Sequence, residues 1–259
     1  KTKIAIQLFH MGRNAPSPLY TGKPALAPSA LKSRLTGLVP QAMTEEDIRE
    51  VQVGFATGAK RAKDAGFDMA EIIACTGYLV SQFLSPVTNL RTDAYGGPIE
   101  NRMRFGLEVI RTVRAAVGPD FPIGIRVAGN DFMEGGHTNA ESALFCREAE
   151  RAGVDAINVT GGWHESNTPQ LTSHVPPAAY VYLARGIKEQ VGVPVFASNR
   201  LGDPIVAEQV LRSGAADMVG WARPLLADPD LPRKVRDGQA ALAIRCICCN
   251  QGCFDGIFA

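Results

Sequence analysis

Several residue types in this sequence stand where chemistry is possible. Tyr78 opens a long polar stretch after the apolar run MAEII, and His164 lies in GGWHE, directly after AINVT. A phenol keeps its proton at neutral pH and can donate it, while an imidazole titrates near neutrality. Spacing alone leaves Tyr78 either an acid or a packed aromatic, and a lone His is commonly structural. Gln7 in IAIQLF and Arg126 in GIRVA are polar groups inside apolar runs. If buried, the amide needs hydrogen-bond partners and the guanidinium needs an anion or a carbonyl. A private salt bridge would satisfy Arg126 as well as a ligand would. Asn199-Arg200-Leu201-Gly202 and Gly220-Trp221-Ala222-Arg223-Pro224 each follow an apolar run. Their two arginines suit an anionic group, with surface arginines as the alternative.

The cysteines divide into two kinds. Cys75 and Cys146 sit alone in apolar or helical contexts and read as small buried hydrophobes. Cys246, Cys248, Cys249 and Cys253 crowd into eight residues, too close for a disulfide network. Closely spaced thiolates can converge on one iron–sulfur cluster or one zinc. Adjacent Cys248 and Cys249 rarely both face one metal, so Cys246, Cys249 and Cys253 are the expected ligands, one short of a full set. His10 has a weaker claim than His164, and His137 and His174 read as ordinary loop residues.

The elements that would position these groups recur in one form. AKDAGFD, REAERAGVDAINV, IKEQVGVPVFASN and LRSGAADMVGWA each pass from helix through Gly to an apolar strand. Such repeats imply parallel β/α units. Strands are expected near Ile4–Phe9, Phe67–Ile73, Ile123–Val127, Ala156–Thr160, Val195–Ser198 and Met218–Trp221. Helices are expected near Thr44–Ala65, Ile99–Val117, Asn139–Ala152, Ala178–Val191, Pro204–Ser213 and Leu225–Asp237. The first strand reads as buried, the Pro- and Gly-rich segment from Arg13 to Pro40 as irregular, and the stretch from Tyr78 to Gly97 as a long loop. Thr44, with Asp47 three residues on, is a helix N-cap. The fold class is therefore α/β, a TIM (β/α)8 barrel. That barrel closes on eight units, so two are expected upstream of Lys1. No Gly-rich dinucleotide fingerprint follows any strand, which argues against an open doubly wound sheet. Barrel loops after the last two strands commonly hold phosphate, and those loops carry Arg200 and Arg223.

Composition narrows the function. The chain has 259 residues, 46% hydrophobic and 20% charged, with a net charge of +1. That suits one large core and gives no electrostatic case for nucleic acid or an anionic membrane. No apolar run is long enough to span a bilayer and no signal-peptide pattern appears, so a cytoplasmic enzyme is expected.

Five motifs in order, GYLVSQFLSPVTNLRTDAYGGPIENRMRF, GGWHE, ASNRLGDP, ADMVGWARPLLADPDL and CICCNQGCFDGIF, resemble the old yellow enzyme / NADH:flavin oxidoreductase family. They lie nearest its bacterial iron–sulfur 2,4-dienoyl-CoA reductase branch. The resemblance covers essentially the whole chain. It implies FMN at the barrel mouth, with Gln7 and Arg126 against the flavin ring and Asn199, Arg200, Gly202, Ala222 and Arg223 around the phosphate. It makes Tyr78 the proton donor and His164 its assistant. It makes Cys246, Cys249 and Cys253 three ligands of a 4Fe-4S cluster, the fourth lying beyond Ala259. Residues 1–240 would be the FMN-binding barrel and 241–259 the start of the cluster segment, with FAD and NAD(P)H bound by a further region. The implied activity is reduction of an activated C=C bond, in a 2,4-dienoyl-CoA or another enoate. The partner would be a small unsaturated molecule, and a homo-oligomer is compatible with it. Amine N-demethylation by a related barrel, and a non-redox zinc-binding barrel, are the alternatives. The sequence departs from the pattern at Ile73 and Thr76, where many relatives carry polar residues that bind a substrate carbonyl. It departs again at Val87 and Asn167, where arginines help hold a CoA ester. Cys248 has no counterpart role.

Overall fold

A computed structural model describes residues 2–166 and 172–253. Asn167 lies outside the described residues. The chain begins with strand β1 (Ala5–Leu8), a 3-10 turn (Gly12–Asn14), helix α1 (Ser17–Thr21) and the two-residue strands β2 (Leu26–Ala27) and β3 (Gln41–Ala42). Helix α2 (Glu45–Asp64), strand β4 (Met69–Ala74), helices α3 (Leu79–Leu84), α4 (Ile99–Arg102) and α5 (Arg104–Val117), and strand β5 (Ile123–Ala128) follow. The remainder is α6 (Asn139–Arg151), β6 (Ala156–Thr160), α7 (Val181–Lys188), β7 (Val195–Ala197), α8 (Pro204–Arg212), β8 (Met218–Val219), α9 (Arg223–Ala227) and α10 (Leu231–Arg236).

All six expected strands form, pair in parallel and lie in the order β1-β4-β5-β6-β7-β8. The order follows the chain and never reverses, as in a barrel wall; a doubly wound sheet reverses at its ligand crevice. Strand periodicity then sorts the side chains. Ile72, Ile123, Ile125, Ile157 and Val195 face the helices and pack with Phe55, Ile110, Phe145 and Leu183 in the main core. Each such fully buried side chain contributes about 1.5–3 kcal/mol. The opposite face carries polar groups in register: Gln7 pairs with Glu71, Ile73 with Arg126, and Arg126 with Asn158.

Helix α2 starts as its sequence dictates. Thr44 Oγ1 accepts from the Asp47 backbone N–H at 3.1 Å, and Asp47 Oδ2 accepts from the Thr44 N–H at 2.7 Å. Acids in its first turn and Arg61 and Lys63 in its last oppose the helix dipole.

Several expectations need correction. β1 was expected to be buried; among the described residues Gln7, Ile4 and Phe9 are exposed. The strand pairs with β4 on one side and, among the described residues, with nothing on the other. The segment from Arg13 to Pro40 is not wholly irregular, since it holds the end of the 3-10 turn, α1 and β2. The long loop after β4 contains α3, whose six residues are all buried. The helix expected from Ile99 is interrupted at Met103, and the one expected from Leu225 is divided into α9 and α10. The helix expected over Ala178–Val191 is shorter, at Val181–Lys188. His137 is buried, at 3% exposure, rather than an ordinary loop residue.

Candidate functional site

The polar face of the sheet builds a floor. Glu71, 9% exposed, accepts from Gln7 Nε2 at 2.5 Å and from Asn158 Nδ2 at 3.2 Å. Three strands thus meet on one carboxylate. Arg126 and Asn158 are half-buried, and each keeps one buried polar atom, Nε and Oδ1 respectively, without a hydrogen-bond partner among the described residues. Buried polar atoms left in this way are costly unless a ligand completes them.

Both residues line a cavity of about 660 Å³ at the C-terminal ends of the last strands. Asn199, Arg200, Gly202, Ala222 and Arg223 line it too. Asn199 and Arg200 are both left-handed, at φ +81° and +54°. Two consecutive non-glycine residues in that region carry backbone strain, which concentrates at ligand-binding turns. The conformation is locked by Asn199 Nδ2 donating to Thr160 Oγ1 at 3.0 Å and Arg200 Nε donating to the Val175 carbonyl at 2.7 Å. Gly202 is required by close approach, since a Cβ there would lie 2.8 Å from Pro224 Cγ. The Arg223 guanidinium donates to Asn250, and Arg245 pairs with Asp203 at 2.9 Å, which draws the C-terminal segment over the cavity.

Tyr78 and His164 are brought together elsewhere on the rim. Tyr78 is the N-cap residue of α3, and its hydroxyl lies 3.4 Å from His164 Nε2. The rings meet edge to face with centroids 5.6 Å apart, and the Phe9 ring also packs on Tyr78, with centroids 5.1 Å apart. Burial raises the Tyr78 pKa, aided by Cys75 and opposed by Arg126, and burial lowers that of His164. The phenol therefore holds its proton and the imidazole is neutral at neutral pH. Behind Tyr78, burial pushes the Cys75 thiol up to about 11. Gly77 allows the approach: it sits at φ +87°, and a Cβ on it would come 2.8 Å from Trp163 Cε3.

The cavity thus gathers Arg126, Asn199, Arg200, Gly202, Ala222 and Arg223. Tyr78 with His164, and Gln7 with Glu71, stand as separate groups. Sequence reading passed over Glu71, although a carboxylate inside MAEIIA carries the same signal as the guanidinium inside GIRVA. It also passed over Asn158 and the buried pair Arg13–Glu165, 2.6 Å apart.

An FMN molecule fits these residues. The unpartnered Arg126 Nε and Asn158 Oδ1 offer a donor and an acceptor to a polar ring, while Arg200 and Arg223 suit a phosphate. The cysteines fit a metal less well. Cys246, Cys248 and Cys253 line the cavity, with Cys246 and Cys248 Sγ atoms 4.0 Å apart, whereas Cys249 is exposed and does not. Among the described residues no three potential ligands converge.

Residues 1–241 match the NADH:flavin oxidoreductase / NADH oxidase family. The chain is 58% identical over 256 residues to the metal reductase of Desulforamulus reducens, covering 99% of this chain and 38% of that protein. It is 40% identical over 255 residues to the NADH oxidase of Thermoanaerobacter brockii, covering 98% of this chain and 39% of that protein. Among solved structures, 2-naphthoyl-CoA reductase in complex with 2-naphthoyl-CoA superposes with a TM-score of 0.92 at 35% identity, over 98% of this chain and 41% of that one. The chain spans about two fifths of the length of these relatives.

Proposed function

The chain belongs to the NADH:flavin oxidoreductase / NADH oxidase family and has the α/β TIM-barrel architecture of its old yellow enzyme members; from that premise we propose that it binds FMN and reduces an activated C=C bond with electrons from NAD(P)H. The observation that carries this reading is the Tyr78–His164 contact at 3.4 Å, a proton donor with a neutral imidazole beside it. FMN, when bound, supplies the two-electron chemistry. Gln7 and Arg126 would face its ring, and Asn199, Arg200, Gly202, Ala222 and Arg223 its ribityl phosphate. Tyr78 gives its hydroxyl proton to the substrate carbon next to the one reduced, and His164 Nε2 supports the phenolate oxygen as charge forms there. Residues 1–240 act as the FMN barrel. On the family resemblance the segment 241–259 would begin a 4Fe-4S region with Cys246, Cys249 and Cys253 as ligands, although the described residues do not bring these three together, and no step is routed through it. FAD and NAD(P)H would be held outside this span. The relative 2-naphthoyl-CoA reductase supports a CoA ester as substrate, while Val87 and Asn167 favour an enoate without CoA, and that is the substrate class proposed.

The test is Tyr78→Phe in the full-length protein, followed through its two half-reactions. Flavin reduction by NAD(P)H should persist, and flavin reoxidation by an enoate should slow by about 10²–10⁴-fold, the usual worth of a positioned acid. An unchanged enoate rate removes Tyr78 as the donor.

A second reading is electron transfer to an oxidised metal ion, favoured by the 58% identity to a metal reductase. Passing electrons to a ferric complex needs no carbon protonation. Tyr78→Phe should then leave ferric reduction at the parent's rate while enoate reduction falls.

A further inference from the structure

We propose that the loop after β1 is a brace that sets the Tyr78–His164 spacing, with Arg13 and Glu165 as positioning residues; this rests on the proton-donor reading of Tyr78. Tyr78 and His164 come from different loops, after β4 and after β6. The 3-10 turn Gly12–Asn14 grips both. Arg13 Nη2 donates to Glu165 Oε2 at 2.6 Å, holding the residue that follows His164. Asn14 Nδ2 donates to the carbonyl of Gly77, the residue before Tyr78, at 3.1 Å. Gln82, on α3, donates to the same carbonyl at 2.6 Å and accepts from the Arg13 backbone N–H at 3.1 Å. Ser33 Oγ fixes Asn14 from behind at 2.8 Å. Gly12 is needed for this packing, since a Cβ there would fall 2.2 Å from Gln82 Oε1.

The ion pair is an inefficient way to stabilise a fold. Its side chains are 8% and 3% exposed, so both charges are desolvated. Arg13 Nε and Glu165 Oε1 are buried without hydrogen-bond partners among the described residues. A buried pair left partly unsatisfied gains little over apolar side chains of similar volume, whereas removing one partner is strongly destabilising. What the pair gives that packing does not is direction. A guanidinium fork on a carboxylate fixes the orientation of the backbone next to His164. The two loops also meet directly in a parallel β-bridge between Thr76 and Trp163, with the His164 N–H donating to the Thr76 carbonyl at 3.4 Å, and the ion pair adds a side-chain constraint beside that bridge.

Three variants of the full-length, FMN-loaded protein separate orientation from stability: Glu165→Gln, Arg13→Met and the double variant. Thermal unfolding, the two half-reactions and the ¹⁵N titration of the His164 imidazole, assigned by its loss in His164→Asn, are measured for each. The single variants should lower the unfolding temperature and slow flavin reoxidation by enoate by about 10–100-fold, with flavin reduction within about twofold of the parent. The double variant should recover the unfolding temperature but not the enoate rate, and the His164 titration should stay displaced. Recovery of the enoate rate together with stability would make the pair structural only and overturn the proposal. So would an equal fall in both half-reactions. If a single variant does not fold, the double variant, which leaves no charge buried alone, decides. An unmoved His164 titration in the double variant overturns the brace however Tyr78→Phe behaves, whereas failure of Tyr78→Phe alone removes only the donor role.

Discussion

Tyr78 and His164 are both uncharged at neutral pH, and burial is the leading cause for each: it raises the phenol and lowers the imidazole. Enoate-dependent reoxidation of the flavin should therefore hold level through neutral pH and decline only above about 10, as the phenol ionises. A decline centred near pH 8 in that half-reaction would exclude Tyr78 as the acid. His137 is a different case. Burial lowers its pKa to about 4, with the neighbouring Arg102 also lowering it and Glu141 opposing. Its unfolded value is about 6.5. Between those values the unfolded chain binds a proton that the folded chain does not, so stability falls as pH drops from about 6.5 towards 4. His137→Gln should flatten that part of the stability–pH curve in chemical denaturation. An unchanged slope would mean that His137 is protonated in the fold. At this scale the sequence revealed charges by contrast with their surroundings: Arg126, Arg200 and Arg223 stood out beside apolar runs. Arg13 and Glu165 did not, because the pair is 152 residues apart and neither residue is anomalous in its own segment.

Strands and helices were legible where one periodicity and one cap agreed. The six strands fall within a few residues of their expected bounds, and α2 begins at the Thr44 cap. Failures came where tertiary contacts decide. Helix α3 is only six residues, too short to form alone, and it persists because every side chain on it is buried. The break at Met103 is likewise not written in propensity. Arg102, 5% exposed, sits just before it and donates to the Gly97 carbonyl at 3.0 Å, to the Leu84 carbonyl at the end of α3, and to Glu141 in the first turn of α6. One guanidinium thus ties α3, α4 and α6 together, and α3 begins at Tyr78. Arg102→Met would leave a carboxylate and two carbonyls without this donor. It should cost about 3–5 kcal/mol in urea unfolding, the range for breaking a buried pair. A loss under about 1 kcal/mol would mean that water replaces the guanidinium at no penalty.

At the scale of the whole molecule, the barrel wall brings loops distant in sequence onto one rim. Asn199–Gly202 and Gly220–Pro224 follow neighbouring strands, so Arg200 and Arg223 meet across the cavity although neither loop contains both. No helix among the described residues is long and apolar enough to cross a membrane. Barrel order was readable from the recurring helix–Gly–strand junctions; the floor made by Gln7, Glu71 and Asn158 became visible only through strand register. The arrangement makes a demand on ligand binding. If the cavity holds the FMN phosphate, its affinity depends on two cations supplied by different β/α units, and each charge-assisted contact is worth about 1.5–3 kcal/mol. Each loss then weakens binding by about 10–100-fold. Arg200 also holds the Val175 carbonyl, and Arg223 holds Asn250, so each single variant carries a local structural cost as well. Replacing both with Gln keeps much of the side-chain volume and some hydrogen bonding while removing both charges. Equilibrium dialysis of the full-length protein against free FMN should show the single variants weakened to similar degrees and the double variant almost free of flavin, with far-ultraviolet circular dichroism unchanged. Riboflavin, which lacks the phosphate, should bind the parent and the double variant with similar affinity. Loss of riboflavin and FMN binding to the same extent would place the defect in the ring site or in the fold, and the phosphate role of the two arginines would be wrong.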